Sequence, residues 1–488
     1  MVTSINTNQD TASSESEGSK QVISVRWALA SLSFSMLLSS LGTSIANVGL
    51  PALAQAFNAS FQEVQWIVLA YLLAITTLIV SVGRLGDIVG RRRLLLAGIF
   101  LFTAASGLCG MAPTLWLLIG ARAAQGLGAA VMMALTMAFV GETVAKAKTG
   151  SAMGLLGTMS AVGTALGPSL GGVLIAGLGW QAIFLVNMPL GILAFLLAYR
   201  YLPLDQQKPN GARAGFDLVG TLLLALTLAA YALAVTMGRG NFGSLNLVLL
   251  LAAGLGASLF VFTEARVASP LIRLAMFRDP MLSASLGMNV LVSTVMMATL
   301  VVGPFYLSQG LGLKLAFVGL VMSMGPIISA LSGVPAGRLV DRMGAPFTAV
   351  AGLTAMAAGA LALCVLPAMF GVLGYMVAIA VLTPGYQLFQ AANNTAVMVD
   401  VLPEQRGVIS GMLSLSRNLG LISGASVMGA VFAFASASVD ITAAPPEAVA
   451  AGMQVTFAAA AILVVIALAM ALASRATATR RILPAKVS

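Results

Sequence analysis

The chain alternates long apolar runs with short polar breaks. From Gln65 to Val82 nearly every position is apolar or small; Gly83 to Arg93 then reads Gly-Arg-Leu-Gly-Asp-Ile-Val-Gly-Arg-Arg-Arg, and a second apolar run follows from Leu94 to Gly110. About 20 apolar residues are what an α-helix needs to cross a bilayer. Backbone in hydrocarbon must satisfy its own hydrogen bonds, which a helix does. On that measure the pattern predicts fourteen transmembrane helices: 27–50, 64–83, 93–111, 115–140, 151–177, 181–200, 217–237, 245–264, 281–305, 315–336, 347–366, 371–392, 408–435 and 452–473. The expected class is an all-α membrane protein, with the Gly83–Arg93 elbow as a short loop at the membrane surface.

The elbow returns near mid-chain. Gly, Arg, Leu, Asp and Gly recur in that order in Gly337-Arg338-Leu339-Val340-Asp341-Arg342-Met343-Gly344, 254 positions on. Gly150, Gly154, Gly163 and Gly167 likewise match Gly407, Gly411, Gly420 and Gly424, 257 positions on. Two such matches predict two six-helix halves related by an internal repeat, residues 26–200 and 279–475. Between them lies a two-helix insert with flanking loops, residues 201–278. The tail 1–25 is rich in Ser, Thr, Asn and Gln and is expected to be disordered; residues 476–488 form the second tail.

Composition agrees with a polytopic protein, since 59% of residues are hydrophobic and 8% charged, against about 25% charged in a soluble domain. The net charge of +10 does not indicate nucleic acid, because the 25 basic residues are scattered through short connections. Arg239 and Lys314 fall in segments expected outside and Arg122 and Arg417 within helices; the others fall in segments expected inside. By the positive-inside rule both termini and the elbow are cytoplasmic in a plasma or inner membrane. The chain has no histidine, so imidazole ligands and imidazole acid-base chemistry are excluded. Cys109 and Cys364 fall in apolar runs, where a thiol behaves as a small hydrophobe. No cofactor or metal site is indicated, and no mid-membrane acid is available to an enzyme. The expected partners are the lipid bilayer and a small-molecule substrate, and the chain is expected to be monomeric.

Several residues stand out against this background. Arg122 and Arg417 are charges inside spans, where each costs roughly 2.5 to 3.5 kcal/mol on insertion scales and so faces the bundle interior. Either could serve a cavity or tie helices together through backbone carbonyls. Asn47 and Asn187 are candidate cavity contacts or interhelical hydrogen-bonding groups. Gly163, Gly167 and Gly171 offer a stripe of small residues for close helix approach, and Pro168 removes a backbone donor. In the elbow, arginines alone would mark topology, but Asp87 among them suggests a charge-assisted conformational latch. Its members are Gly83, Asp87, Gly90, Arg91 and Arg92, with Asp341 and Arg342 in the second copy.

These motifs together resemble the major facilitator superfamily, and within it the fourteen-span drug:proton antiporter family, across residues 26 to 475. The elbow is similar to that superfamily's signature between helices two and three. Arg122-Ala-Ala-Gln125-Gly126-Leu-Gly128 resembles the motif whose arginine the family assigns to proton coupling, and Gly163-Thr-Ala-Leu-Gly167-Pro168-Ser-Leu-Gly171-Gly172 resembles the antiporter motif of exporters. Phe184-Leu-Val-Asn187-Met-Pro189-Leu-Gly191 also looks like the fourteen-span group. One position departs: Leu41-Gly42-Thr43-Ser44-Ile45-Ala46-Asn47 carries Gly42 where the family has a membrane-embedded Asp. The resemblance implies export of small amphipathic or toxic compounds by alternating access with protons as coupling ion. The alternative is a facilitator or importer of a metabolite on the same fold, without proton antiport.

Overall fold

In a computed structural model the chain is all-helical among the described residues, 7–79, 81–143, 149–204, 217–236, 243–267, 277–398, 406–436 and 444–482. Helix α1 (Thr7–Phe57) is followed by α2 (Phe61–Ile79), α3 (Val82–Val89), α4 (Arg91–Gly110), α5 (Leu115–Thr143), α6 (Thr149–Leu178), α7 (Ala182–Leu185) and α8 (Asn187–Tyr201). Helices α9 (Leu218–Thr236) and α10 (Ser244–Glu264) form a hairpin. The chain continues through α11 (Pro280–Phe305), α12 (Leu315–Met343), α13 (Ala345–Met398), α14 (Arg406–Ser423), α15 (Gly429–Ala435) and α16 (Pro446–Ile482). A π-helical turn, Tyr306–Gly310, ends α11, and another, Gly424–Met428, joins α14 to α15.

Twelve helices among the described residues are long and apolar enough to cross a membrane, and the part of α1 that does so is Val25–Phe57. One of the twelve, α13, is 54 residues long, far beyond the roughly 30 Å of a hydrocarbon core at 1.5 Å per residue. It doubles back at Gly371, whose φ is 53°. The two arms pack tightly: a Cβ on Gly359 would meet Leu382, and one on Gly352 would meet the Gly385 carbonyl at 2.7 Å. Helix α6 contributes a shorter apolar stretch, Val162–Leu178.

The elbow corrects the expected loop. Residues 82–89 are helical, with Leu85 N–H donating to the Ser81 carbonyl and Gly90 N–H to the Gly86 carbonyl, and the chain turns at Gly90 alone, at φ 102°. Charge density there marks a surface, and it leaves the backbone free to continue as helix. The second copy behaves alike, because Gly344 N–H donates to the Val340 carbonyl and Gly344 turns at φ 81°. Both glycines adopt a backbone that side-chain-bearing residues rarely reach.

The repeat is visible elsewhere as contact. A Cβ on Gly128 would meet Gly98 O at 2.7 Å and Phe102 N; one on Gly385, 257 positions later, would meet Gly352 O at 2.8 Å and Met356 N. Gly163 lies against the Leu37 carbonyl and Ser40, and Gly420 against the Val290 carbonyl and Ser293. Each partner is offset by 253 or 254 positions, so the same helix pairs meet at the same heights twice.

The side bearing the elbow differs from the far side. On the far side α6 meets α12 where a Cβ on Gly172 would fall 2.9 Å from Gly319 Cα, and one on Gly319 would fall 2.6 Å from the Pro168 carbonyl. The Phe61 ring of α2 lies edge-on to Phe305, with centroids 4.7 Å apart, and 5.4 Å from Phe432. Gln65 Nε2 donates to the Ala425 carbonyl at 2.8 Å. Toward the elbow side, α12 beyond Met324 is mostly exposed or half-buried. The helices α1–α8 and α11–α16 thus meet closely on the far side, and the exposure of α12 points to a cleft between them on the elbow side.

Candidate functional site

Arg122 projects from α5, seven residues beyond Leu115, and is fully buried. Its guanidinium lies 4.1 Å from the Tyr71 ring centroid on α2 and 5.9 Å from that of Phe184 on α7. Nε donates to the Ile67 carbonyl at 3.0 Å, while Nη1 donates to the Gly42 carbonyl at 3.1 Å and to Gln125 Oε1. Gln125 Nε2 donates to Ser106 Oγ at 2.6 Å, and Ser106 in turn donates to the Phe102 carbonyl at 2.7 Å. Tyr71 OH donates to the Ser39 carbonyl at 2.9 Å. Nη2 of Arg122 has no hydrogen-bond partner.

Among the described residues no carboxylate pairs with Arg122. A buried charge is costly unless it is matched; here two carbonyl dipoles and an aromatic face provide partial compensation. On α1 Gly42 lies beside Arg122, and a Cβ there would meet Phe102 and the Tyr71 hydroxyl at 3.1 Å. The arrangement is a cation held in a polar cage that lacks its counter-charge.

Arg417 occupies a different setting on α14. Asn289 on α11 donates to the Leu413 carbonyl at 3.0 Å and to Ser416 Oγ at 2.8 Å, Tyr231 on α9 donates to Ser423 Oγ at 3.0 Å, and Gln65 on α2 reaches Ala425. These bonds place α11, α9 and α2 around the helix. Among described residues 412–428, Arg417 is the one that is exposed. Arg417 lies about one turn nearer the elbow side than the α11 contacts at Gly420, and its exposure there is the ground for assigning it to the cleft.

The glycine motif of α6 works on two faces. Gly163, Gly167 and Gly171 lie against Leu37, Ser44 and Val48 of α1, whereas Pro168 and Gly172 meet Gly319 of α12 on the far side. Gly163, Gly167, Pro168, Gly171 and Gly172 are all buried.

The elbow residues are only partly brought together. Arg92 donates from Nη2 to the Tyr199 carbonyl of α8 and lies over the Tyr199 ring at 5.4 Å, which ties it to its own group of helices. Gly83 is exposed, as are Asp341 and Arg342, while Gly90 and Arg91 are half-buried. The side chains of Arg84 and Asp87 lie outside the described residues. Asn47 and Asn187 are fully buried and donate to Thr43 and Ile183, one turn back in their own helical segments, at 3.2 and 3.3 Å. Neither faces the cleft.

The acids at span ends have local partners. Glu63 caps α2 in a reciprocal box with Ser60, its Oε2 accepting from Ser60 N–H and Oγ at 2.7 Å each. Asp217 Oδ1 accepts from Gly220 N–H at 2.8 Å at the start of α9, and Asp217 and Glu264 both approach Gly220. Two members of the site carry no sequence signal of their own: Tyr71 and Ser106 sit among apolar residues and gain meaning only from Arg122 and Gln125.

The model of the Major Facilitator Superfamily matches residues 32–425 and again 285–486. The chain is 31% identical over 401 residues to the riboflavin transporter RibZ of Clostridioides difficile, covering 82% of this chain and 86% of that protein. It is 33% identical over 392 residues to the multidrug resistance protein Stp of Mycobacterium tuberculosis, covering 80% and 72%. In three dimensions it is similar, at a TM-score of 0.68 and 16% identity, to a bacterial homolog of the human lysosomal transporter Spinster in an inward-facing, occupied conformation; the match covers 92% of this chain and 97% of that one.

Proposed function

The chain belongs to the major facilitator superfamily and is a multi-pass membrane transporter, not an enzyme; from that premise we propose that it exports small amphipathic compounds from the cytoplasm by alternating access, in exchange for protons. The observation that carries the reading is the α6–α12 seal. Gly172 and Gly319 bring two backbones into contact on the far side while α12 toward the elbow side is mostly exposed or half-buried, which supports a rocking pair of helix groups loading from one face. The likeness to Stp supports efflux.

The topology that goes with this reading has fourteen crossings. Counting the two arms of α13 separately and adding α6 to the remaining spans gives that number. The elbow side is then cytoplasmic, with both termini, in the plasma or inner membrane. Residues 26–200 and 279–475 act as the moving halves, α9 and α10 as the insert, and one chain suffices. Arg122, with Gln125, is the coupling candidate, and the elbow residues Asp87, Arg91, Arg92, Asp341 and Arg342 bias the closed cytoplasmic state. In inside-out vesicles an acid interior drives accumulation of an exported compound, and a protonophore collapses it. Accumulation indifferent to the pH gradient would remove proton exchange and leave the second reading, a facilitator or importer of a metabolite. Gly42 and the likeness to RibZ favour that second reading.

A further inference from the structure

Away from the span ends, the charged side chains are Arg122 and Arg417, and every one of the 15 acids lies at a span end or beyond it. The two arginines share a level. Arg417 is the repeat counterpart of Ser160, whose hydroxyl is 2.7 Å from Ser40 Oγ on α1; Ser40 is two residues from Gly42, the carbonyl that accepts from Arg122. Repeats related by an axis along the membrane normal preserve depth, so both cations lie within about one helical turn of each other in height. Arg417 is exposed, and Arg122 is buried with Nη2 unpartnered.

We propose that the cargo is an amphipathic anion whose acidic group is held by Arg417 in the open cleft, with the uncompensated charge of Arg122 adding to the attraction. This rests on the export reading above and specifies its substrate class. A lipophilic cation held at the depth of Arg417 would face two positive charges, with every acid at a span end or beyond it. A carboxylate, sulfonate or phosphate instead finds a guanidinium, whose planar fork matches it. The choice also accounts for Gly42. A cell interior is electrically negative, so the membrane potential itself drives an anion outward, by about tenfold for each ~59 mV on a single charge. A transporter of such cargo can work without a membrane-embedded carboxylate.

The full chain, purified into liposomes, tests this with valinomycin and a K⁺ gradient that makes the lumen positive. The probes are carboxyfluorescein and ethidium. Carboxyfluorescein is expected to enter faster than in protein-free liposomes and to speed up as the lumen becomes more positive, while ethidium, offered to liposomes with a negative lumen that favours its entry, is left behind. Arg417→Gln slows carboxyfluorescein entry at least about tenfold, Arg417→Lys keeps about half of it, and Arg417→Glu shifts preference toward ethidium. Size-exclusion elution monitors folding, which an exposed position leaves intact. Ethidium entering while carboxyfluorescein does not, or an Arg417→Gln rate equal to that of the parent, overturns the anion assignment and leaves export standing. If neither dye moves, with the lumen acid as well as neutral, the export reading falls with it.

Discussion

Tyr71 and Arg122 in the first group of helices correspond, 254 and 257 positions on, to Gly325 and Ile379 in the second. The contact survives: a Cβ on Gly325 would touch Ile379 Cγ2 at 3.5 Å, as the Tyr71 ring covers the Arg122 guanidinium. Its chemistry does not. Gln125 likewise has the buried Leu382 as counterpart, so the polar cage of one group is plain hydrocarbon in the other. The glycines that set helix spacing appear in both, at Gly128 and Gly385 and at Gly163 and Gly420. Packing and the elbow's Arg and Asp are therefore duplicated, whereas charge within the spans is confined to one copy of each position. Duplicated parts define how the groups move, and single-copy parts define what they act on.

The largest expected effect comes from making the first group like the second. Arg122→Ile removes a cation that donates to Ile67 and Gly42 carbonyls and to Gln125. Losing charged hydrogen bonds of this kind costs about 1.5 to 3 kcal/mol each. Transport of any cargo is expected to fall at least a hundredfold at equal membrane abundance, while Ile379→Leu in the second group changes it less than twofold. Equal effects at the two positions would show that Arg122 is only packing.

Next come the two elbows. Asp341 is exposed at the end of α12, whereas the charge pattern sets Asp87 among four arginines, Arg84, Arg91, Arg92 and Arg93. Asp87→Asn is expected to reduce transport about tenfold or more by removing a charge-assisted contact, and Asp341→Asn less than that, both without loss of insertion. Undiminished transport by Asp87→Asn would reduce the elbow to a topology signal.

A smaller and symmetric effect is expected at the duplicated glycines. A Cβ at Gly128 or at Gly385 meets backbone atoms at 2.7 to 2.8 Å, and backbone cannot swing away. Gly128→Ala and Gly385→Ala should each destabilise by about 1 to 3 kcal/mol, measured as matched shifts in thermal unfolding in detergent. A large mismatch would break the claim that the two groups pack alike.

Which of these features the sequence displayed follows from what each signal encodes. Long apolar runs and paired glycines are imposed by the bilayer and by helix spacing, so both were readable directly. The elbow was misread as a loop because its charges report a surface, and charge carries no information about dihedral angles. Glu63 stands at a span end where an acid could serve coupling or cap the helix, and its bonds to Ser60 N–H and Oγ make it a cap. Asn47 and Asn187 read as cavity contacts or interhelical bonding groups, but an amide in an apolar run has a further outlet, its own preceding turn, and sequence does not distinguish them. Tyr71 and Ser106 acquire their roles from α5, which lies far along the chain.

The subtlest test concerns Gly42, where the cage lacks its acid. Replacing it by Asp would set a carboxylate beside the Gly42 carbonyl to which Arg122 already donates. The space is tight but yielding: the new Cβ meets the edge of the Phe102 ring and the Tyr71 hydroxyl at 3.1 Å, side chains that can give by tenths of an ångström. Gly42→Asp is therefore expected to insert and fold with only a modest loss of stability. Its carboxylate would be stabilised by the guanidinium and penalised by burial, and its protonation would then alternate with access to the two sides. If the absent acid is what limits proton coupling, the variant's transport in inside-out vesicles responds several-fold more steeply to the pH gradient than the parent's. At the same time its preference for anionic cargo weakens, because Arg122 is now neutralised. An unchanged response to both pH and cargo charge would mean that Arg122 acts on neither, and that the contrast between the two groups lies in packing after all.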